Sequence, residues 1–230
     1  MKEYLKGLKG GVPICLGYIS VSFAFGIVAT RGGLTLLQAV IISLTNLTSA
    51  GQFAGVDIIN SNGGLLELSV ATLVINIRYL LMSLSMSQRV LPSTNTAKRL
   101  LMSFGITDEN FALSMQKQGD ITFSYFFGVM TLPLIGWTLG TFLGGFAGSV
   151  LPETVRLALG MAIYAMFIAI IIPPAKNSKP ILTVIIIAVF VSLGISTVPE
   201  ISGGWRVIIS TLIAAGAGAF LYPEREESVQ

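Results

Sequence analysis

Seven apolar stretches separated by short polar breaks set the pattern of the chain: 11–30, 35–58, 65–87, 121–147, 153–173, 180–198 and 204–222. A helix of ~20 apolar residues crosses the ~30 Å hydrocarbon core of a bilayer, and each stretch has the length and apolar density for that. The second stretch differs inside. Its centre, Thr45-Asn46-Leu47-Thr48-Ser49-Ala50-Gly51-Gln52-Phe53-Ala54-Gly55, is small and polar where a plain span would be rich in leucine. Irregular backbone at membrane depth is tolerated only where protein or water covers it. The segment is therefore expected to be re-entrant or broken and to line a cavity. The fold class is all-α: a polytopic integral membrane protein of six to seven membrane segments, with residues 1–230 as a single membrane transport domain.

One long polar connection, cytoplasmic in the preferred topology, occupies 88–120. Its middle, 97–118, reads as an amphipathic helix with Leu100, Leu101, Phe104, Phe111, Leu113 and Met115 as apolar contacts. The string Gly-Gly-Leu-x-x-Leu opens two segments, at 32–37 and 63–68. It is either a relic of an internal repeat, as many transporters have, or ordinary punctuation at a helix start. Gly136, Gly140, Gly144 and Gly148 recur every fourth residue on one helical face, and a second small-residue run covers Ala214, Ala215, Gly216, Ala217, Gly218 and Ala219. Such faces let another helix approach closely, in this chain or in a second subunit.

Basic residues orient the segments, since cytoplasmic loops carry the excess of Lys and Arg. With seven crossings and a cytoplasmic N-terminus, five basic residues fall inside and eight outside. If the second segment enters and returns on one side, the count becomes ten inside against three outside, with Arg78 left out. The charges favour a second segment that does not cross. The short basic start, Met1-Lys2-Glu3-Tyr4-Leu5-Lys6-Gly7-Leu8-Lys9, precedes an apolar run longer than a signal-peptide core and is read as leading into a retained first span.

Composition narrows the class. The chain of 230 residues is 53% hydrophobic and 11% charged, with a mean hydropathy of +0.81; a soluble domain carries about 25% charged residues. The net charge of +3 comes from scattered residues with no basic cluster beside stacking aromatics, so nucleic acid is not an expected partner. There is no histidine. This excludes His-based zinc sites, Ser-His-Asp and Cys-His catalysis, and a histidine proton switch. No metal or cofactor is expected, and the chain is not read as an enzyme. Cys15, the single cysteine, reads as a small buried apolar residue.

The costly residue is Arg78, near the middle of the third segment. A guanidinium at that depth costs roughly 2.5–3.5 kcal/mol on insertion scales, so it should face a polar cavity or a partner. Asn76 and Tyr79 share a face of the helix, whereas Arg78 lies about 200° from Asn76, so one straight helix cannot turn both onto one narrow site. Either the arginine bridges structural groups or it serves a ligand. In the first segment Pro13, Gly17 and Gly26 accompany Tyr18, Ser20 and Ser22; a break there would offer backbone groups to a ligand. Thr107-Asp108-Glu109-Asn110 resembles a capped helix start with acids on its positive end. The same acids are candidates for the arginine's counter-charge or for carrying protons.

Four strings in order resemble the AzlC family of branched-chain amino-acid exporters: Pro13 with Gly17-Tyr18 and Phe23-Ala24-Phe25-Gly26; Ser49-Ala50-Gly51-Gln52-Phe53; Asn76-Ile77-Arg78; and Thr107-Asp108-Glu109-x-Phe111-Ala112. The resemblance implies the large subunit of a two-component exporter in the bacterial inner membrane, working with a small hydrophobic AzlD-like subunit. It would move leucine, isoleucine and valine, and in some members methionine, out of the cell using the proton gradient. On this reading Tyr18, Gly51, Gln52, Phe53, Asn76 and Arg78 bind the substrate, and Glu67, Asp108 and Glu109 carry protons or pair with the arginine. Phe23, Phe53 and Met82 would wall the aliphatic side chain. Where the family often has histidine after the arginine, this chain has Tyr79, which shifts the expected proton role to the three acids. No phosphate-binding glycine loop is present, so ATP would need another subunit. The rival reading is a channel or scaffold subunit with a purely structural Arg78.

Overall fold

The computed structural model describes residues 1–150, 152, 168, 171–172 and 175–223. Helices follow in the order α1 (Lys2–Arg31), α2 (Leu36–Thr45), α3 (Ala50–Asn60), α4 (Leu65–Ser87), α5 (Thr96–Phe104), α6 (Asp108–Met115), α7 (Phe123–Val150), α8 (Lys179–Ser196) and α9 (Gly203–Leu221). Among the described residues, α1, α4, α7, α8 and α9 are long and apolar enough to cross a membrane. The expected segment at 153–173 lies outside the described residues, apart from 168 and 171–172. The chain divides into two compact units, Met1–Val56 with Ile75–Ile163, and Asp57–Val74 with Tyr164–Gln230.

The first unit is built on α1 against α7, and glycine makes the contact. A Cβ on Gly11 would come within 2.7 Å of the Val129 carbonyl oxygen, and one on Gly136 within 2.8 Å of that of Cys15. On Gly7, Gly26 and Gly144 it would overlap the carbonyls of Tyr125, Thr141 and Phe23 outright. The partner of the glycine face is therefore α1 of the same chain. The register rises together along both helices: Gly7 meets Tyr125, Gly11 meets Val129, Ile19 meets Gly140 and Phe23 meets Gly144. The two helices run parallel.

The second expected segment is indeed broken. Thr35 caps α2 through a reciprocal capping box with Gln38, and the helix stops at Asn46 before α3 begins. Ser49 enters α3 with a left-handed φ of 47°. At 1.5 Å per residue, helices of 10 and 11 residues reach only about half of a ~30 Å core. The hairpin starts beside the C-terminal end of α1, where Leu36 approaches Gly145, and α3 returns to that end, Val56 packing with Phe25 and Ala29. It enters and leaves on one side.

The connection at 88–120 is also a hairpin, not the single amphipathic helix expected at 97–118. Gly105 ends α5 and Thr107 opens α6. The tip is buried, with Ile106, Thr107 and Asn110 at 7%, 2% and 0% exposure. Leu100, Leu101 and Phe104, expected to make apolar contacts, are exposed. Met102 and Ile106 pack inward in their place, with Phe126, Val129 and Met130 of α7. Phe111, Leu113 and Met115 do pack on that cluster. Thr107 reaches Tyr18, about 24 Å along α1 at 1.5 Å per residue, and Leu113 of α6 returns to Gly10. This second hairpin therefore enters from the N-terminal end of α1, where Val90, just past α4, bridges Ile121. The two Gly-Gly-Leu strings lead into α2 and α4, a half-helix and a full helix, as punctuation at a helix start does.

In the second unit α8 and α9 pack antiparallel. Gly218 faces Val184, and the Tyr222 hydroxyl lies 3.0 Å from that of Thr183. Of the small-residue run, Ala214 is buried. Glu67 is 5% exposed and holds the start of α9: its Oε1 accepts from the Ser202 hydroxyl and from the Trp205 amide at 3.2 Å. Gly204 leaves the room for it, since a Cβ there would overlap Oε1. A carboxylate on free amides at a helix N-terminus is a favourable placement.

Two stability measurements check this packing by melting the detergent-solubilised protein. Gly144→Ala should destabilise by about 1–3 kcal/mol, the usual cost of overpacking. Gly17→Ala, where a Cβ meets nothing within 4 Å, should be neutral or stabilising by up to ~1 kcal/mol; equal melting of the two would contradict the α1–α7 contact. Glu67→Ala should lower the melting temperature by removing the carboxylate that accepts from Ser202 and the Trp205 amide, and an unchanged melt would show that the α9 cap is not needed.

Candidate functional site

Arg78 leaves the middle of α4 toward the tip of the second hairpin. Its Nη1 is 2.6 Å from Asp108 Oδ2, and the two side chains are 42% and 46% exposed. Nη2 donates to the Tyr79 hydroxyl at 3.4 Å, and the guanidinium carbon lies 5.1 Å from that ring's centre. Local sequence explains how the acids arrive there. The Thr107 hydroxyl caps α6 by accepting from the Asn110 amide at 3.3 Å, which puts Asp108 and Glu109 in the first turn, at the positive end of the helix. Thr107 caps the helix, and the next residue, Asp108, makes the ion pair.

Tyr18 joins α1 to this centre. Its hydroxyl donates to Glu109 Oε2 at 2.5 Å and sits 2.7 Å from the Thr107 hydroxyl, while its ring packs edge-on against Trp137, 5.3 Å between centres.

A second polar centre lies at the tip of the first hairpin. A Cβ on Gly51 would come within 2.7 Å of Thr48 Oγ1 and 2.8–2.9 Å of the Asn76 amide group, so glycine lets α4 and the tip close together. Gln52 turns inward: its Nε2 donates to the Ser43 hydroxyl at 3.2 Å, which is 2.7 Å from that of Thr141 on α7. Thr48 Oγ1, Gln52 Oε1 and Asn76 Oδ1 are buried oxygens with no hydrogen-bond partner. Phe53 packs edge-on against Phe25 at 5.3 Å.

The angle between Asn76 and Arg78 on α4 decides which neighbour each serves. Asn76 meets the first hairpin; Arg78 meets the second. Of the residues assigned to a site from sequence, Tyr18, Arg78, Asp108 and Glu109 come together, and Gly51 with Asn76 forms the other centre. Met82 packs with the apolar cluster around Tyr125 and Phe126, and the Phe23 carbonyl lies against Gly144. Sequence reasoning passed over Asn110, which is fully buried and donates from Nδ2 to the Gly105 carbonyl at 2.9 Å. Its place three residues after Thr107 was the available signal, and the cap reading absorbed it. No group of three metal-ligating side chains occurs among the described residues.

Residues 13–151 match the model of the AzlC protein family, a span that holds both hairpins and every assigned site residue. The chain is 28% identical over 183 residues to the inner membrane protein YgaZ of Escherichia coli, covering 76% of this chain and 75% of that protein. It is 30% identical over 176 residues to an uncharacterized membrane protein of Archaeoglobus fulgidus, covering 76% and 77%. It is 24% identical over 207 residues to the branched-chain amino acid transport protein AzlC of Bacillus subtilis, covering 88% and 78%. No solved structure matches the chain. This multi-pass membrane protein, with its two half-helix hairpins and its Arg78–Asp108 pair, belongs to the AzlC family.

Proposed function

We propose that the protein exports branched-chain amino acids, leucine, isoleucine and valine with methionine as a further substrate, in exchange for protons. The observation that carries this reading is the Arg78–Asp108 ion pair, half-exposed at the tip of a hairpin. An α-amino acid at neutral pH carries one positive and one negative group a few ångströms apart. It can open the pair by giving its carboxylate to Arg78 and its ammonium to Asp108, so that no charge is left unpartnered. Glu109, held by Tyr18, is a second acid within the same turn. Gln52, Gly51 and Asn76 at the first hairpin close the path above, with Phe53 on its apolar side.

Coupling follows from competition. A proton on Asp108 removes the charge that the substrate ammonium needs, so the carboxylate holds either a proton or a substrate. One goes in as the other comes out, and a proton gradient directed inward then drives export. Tyr79, neutral across physiological pH, does not carry the proton. Glu67 is engaged with the start of α9 and is a weaker candidate than Asp108 for that role. Hairpins that enter from opposite ends and meet near the middle suit alternating access.

The setting is a bacterial inner membrane with the N-terminus in the cytoplasm. Its support is the basic-residue count of ten against three for a non-crossing second segment, the arrangement that parallel α1 and α7 require. The partner is a small AzlD-like hydrophobic subunit.

Leucine efflux from dipeptide-loaded cells expressing this chain with and without such a subunit tests the function; no efflux in either case would sink it. Leucine exchange in proteoliposomes separates an exporter from a channel, which shows no trans-stimulation. Arg78→Lys and Arg78→Ala should each abolish leucine export while the protein remains in the membrane; normal export by Arg78→Ala would remove the arginine from the site. Because Asp108 holds either a proton or the substrate ammonium, leucine binding should weaken as the pH falls from neutral. Asp108→Asn should bind weakly at every pH. Tighter binding on acidification would mean co-transport instead.

A further inference from the structure

The two hairpins match each other in more than outline. A long helix leads each one: α1, α2 and α3 have 30, 10 and 11 residues, and α4, α5 and α6 have 23, 9 and 8. The third residue of α3 is Gln52, followed by Phe53 and Ala54; the third residue of α6 is Asn110, followed by Phe111 and Ala112. Both amides are buried, at 2% and 0% exposure. Each donates back to the first arm of its own hairpin or its end, Gln52 to Ser43 of α2 and Asn110 to Gly105 at the end of α5. Each leaves its carbonyl oxygen buried and unpartnered.

Their directions are opposite. From its N-terminus α3 runs toward the C-terminal end of α1, where Val56 packs with Ala29. From its N-terminus α6 runs toward the other end, where Leu113 meets Gly10. Both helix starts face the middle of the unit and sit on α4 two residues apart, at Asn76 and Arg78.

We propose that α4–α6 repeats α1–α3 in inverted orientation, and that Asn110 is the counterpart of Gln52: a substrate-positioning residue whose free carbonyl oxygen accepts from the substrate ammonium when the path opens on its side. An unpartnered buried acceptor is costly unless a donor visits it, and an ammonium group supplies three donors. Phe111 is correspondingly the equivalent of Phe53. The two hairpins are then two gates of one path, one for each face of the membrane. This rests on the transport reading above.

Two experiments on the full-length protein test it. In a Cys15→Ser background, Ala54→Cys and Ala112→Cys report on equivalent places in the two hairpins through a membrane-impermeant maleimide, in vesicles of both orientations, with and without saturating leucine. Reciprocal change is expected, one rate rising about threefold or more as the other falls, as a shift between two states requires. Both rates moving together, or neither moving while leucine is still transported, would overturn the repeat; an absence of leucine transport by the unsubstituted protein would instead count against the transport reading. In transport assays Asn110→Ala and Gln52→Ala should each raise KM roughly tenfold with kcat little changed, the scale of one hydrogen bond, and Asn110→Gln should recover most of the loss. A KM for Asn110→Ala equal to that of the unsubstituted protein would remove Asn110 from the site.

Discussion

The backbone contact between α1 and α7 is the constraint from which the rest follows. Glycines on both helices let the two chains approach until carbonyls and Cα atoms touch, and the contacts advance in the same direction along each. A parallel pair leaves the chain between them an odd number of crossings to make. One crossing lies between Val56, which packs with Ala29 of α1, and Met86, which packs with Tyr125 and Phe126 of α7. Everything else between α1 and α7 must come back to the side it left, and so α2–α3 and α5–α6 fold as hairpins. Short half-helices bring free helix starts to mid-depth, where an unbroken span would offer only side chains.

Arg78 is tolerable in an apolar helix because the second hairpin delivers Asp108 to it at 2.6 Å. The pair is half-exposed, so water or a ligand can reach both groups. Tyr18 ties the neighbouring acid to α1, which links the charged centre to the helix that carries the glycine contact.

Much of the fold was legible because it rests on length and apolar content. The long helices, the break in the second segment and the approach face at Gly136, Gly140, Gly144 and Gly148 all follow from patterns that act locally. The opposed directions of Asn76 and Arg78 followed from helix geometry alone. The second hairpin was less visible, since Gly105 and Thr107 interrupt the amphipathic pattern at only one short place, and its burial depends on α7, which comes later in the chain. The arginine's partner was open in the sequence because Asp108 is 30 positions away from it and periodicity does not pair elements. The role of Glu67 at the start of α9 had no local sign either; it comes from a contact 135–138 residues distant.

The parallel pairing also sets an order of events during synthesis. Gly7 finds its place against Tyr125, so α1 enters the bilayer well before its partner exists, on the order of ten seconds earlier at ~5–20 residues per second. Through that interval the glycine face of α1 is open to lipid, and the hairpins lack the second wall they pack on. The unit can close only when α7 arrives, so α1 is secured long after it is made.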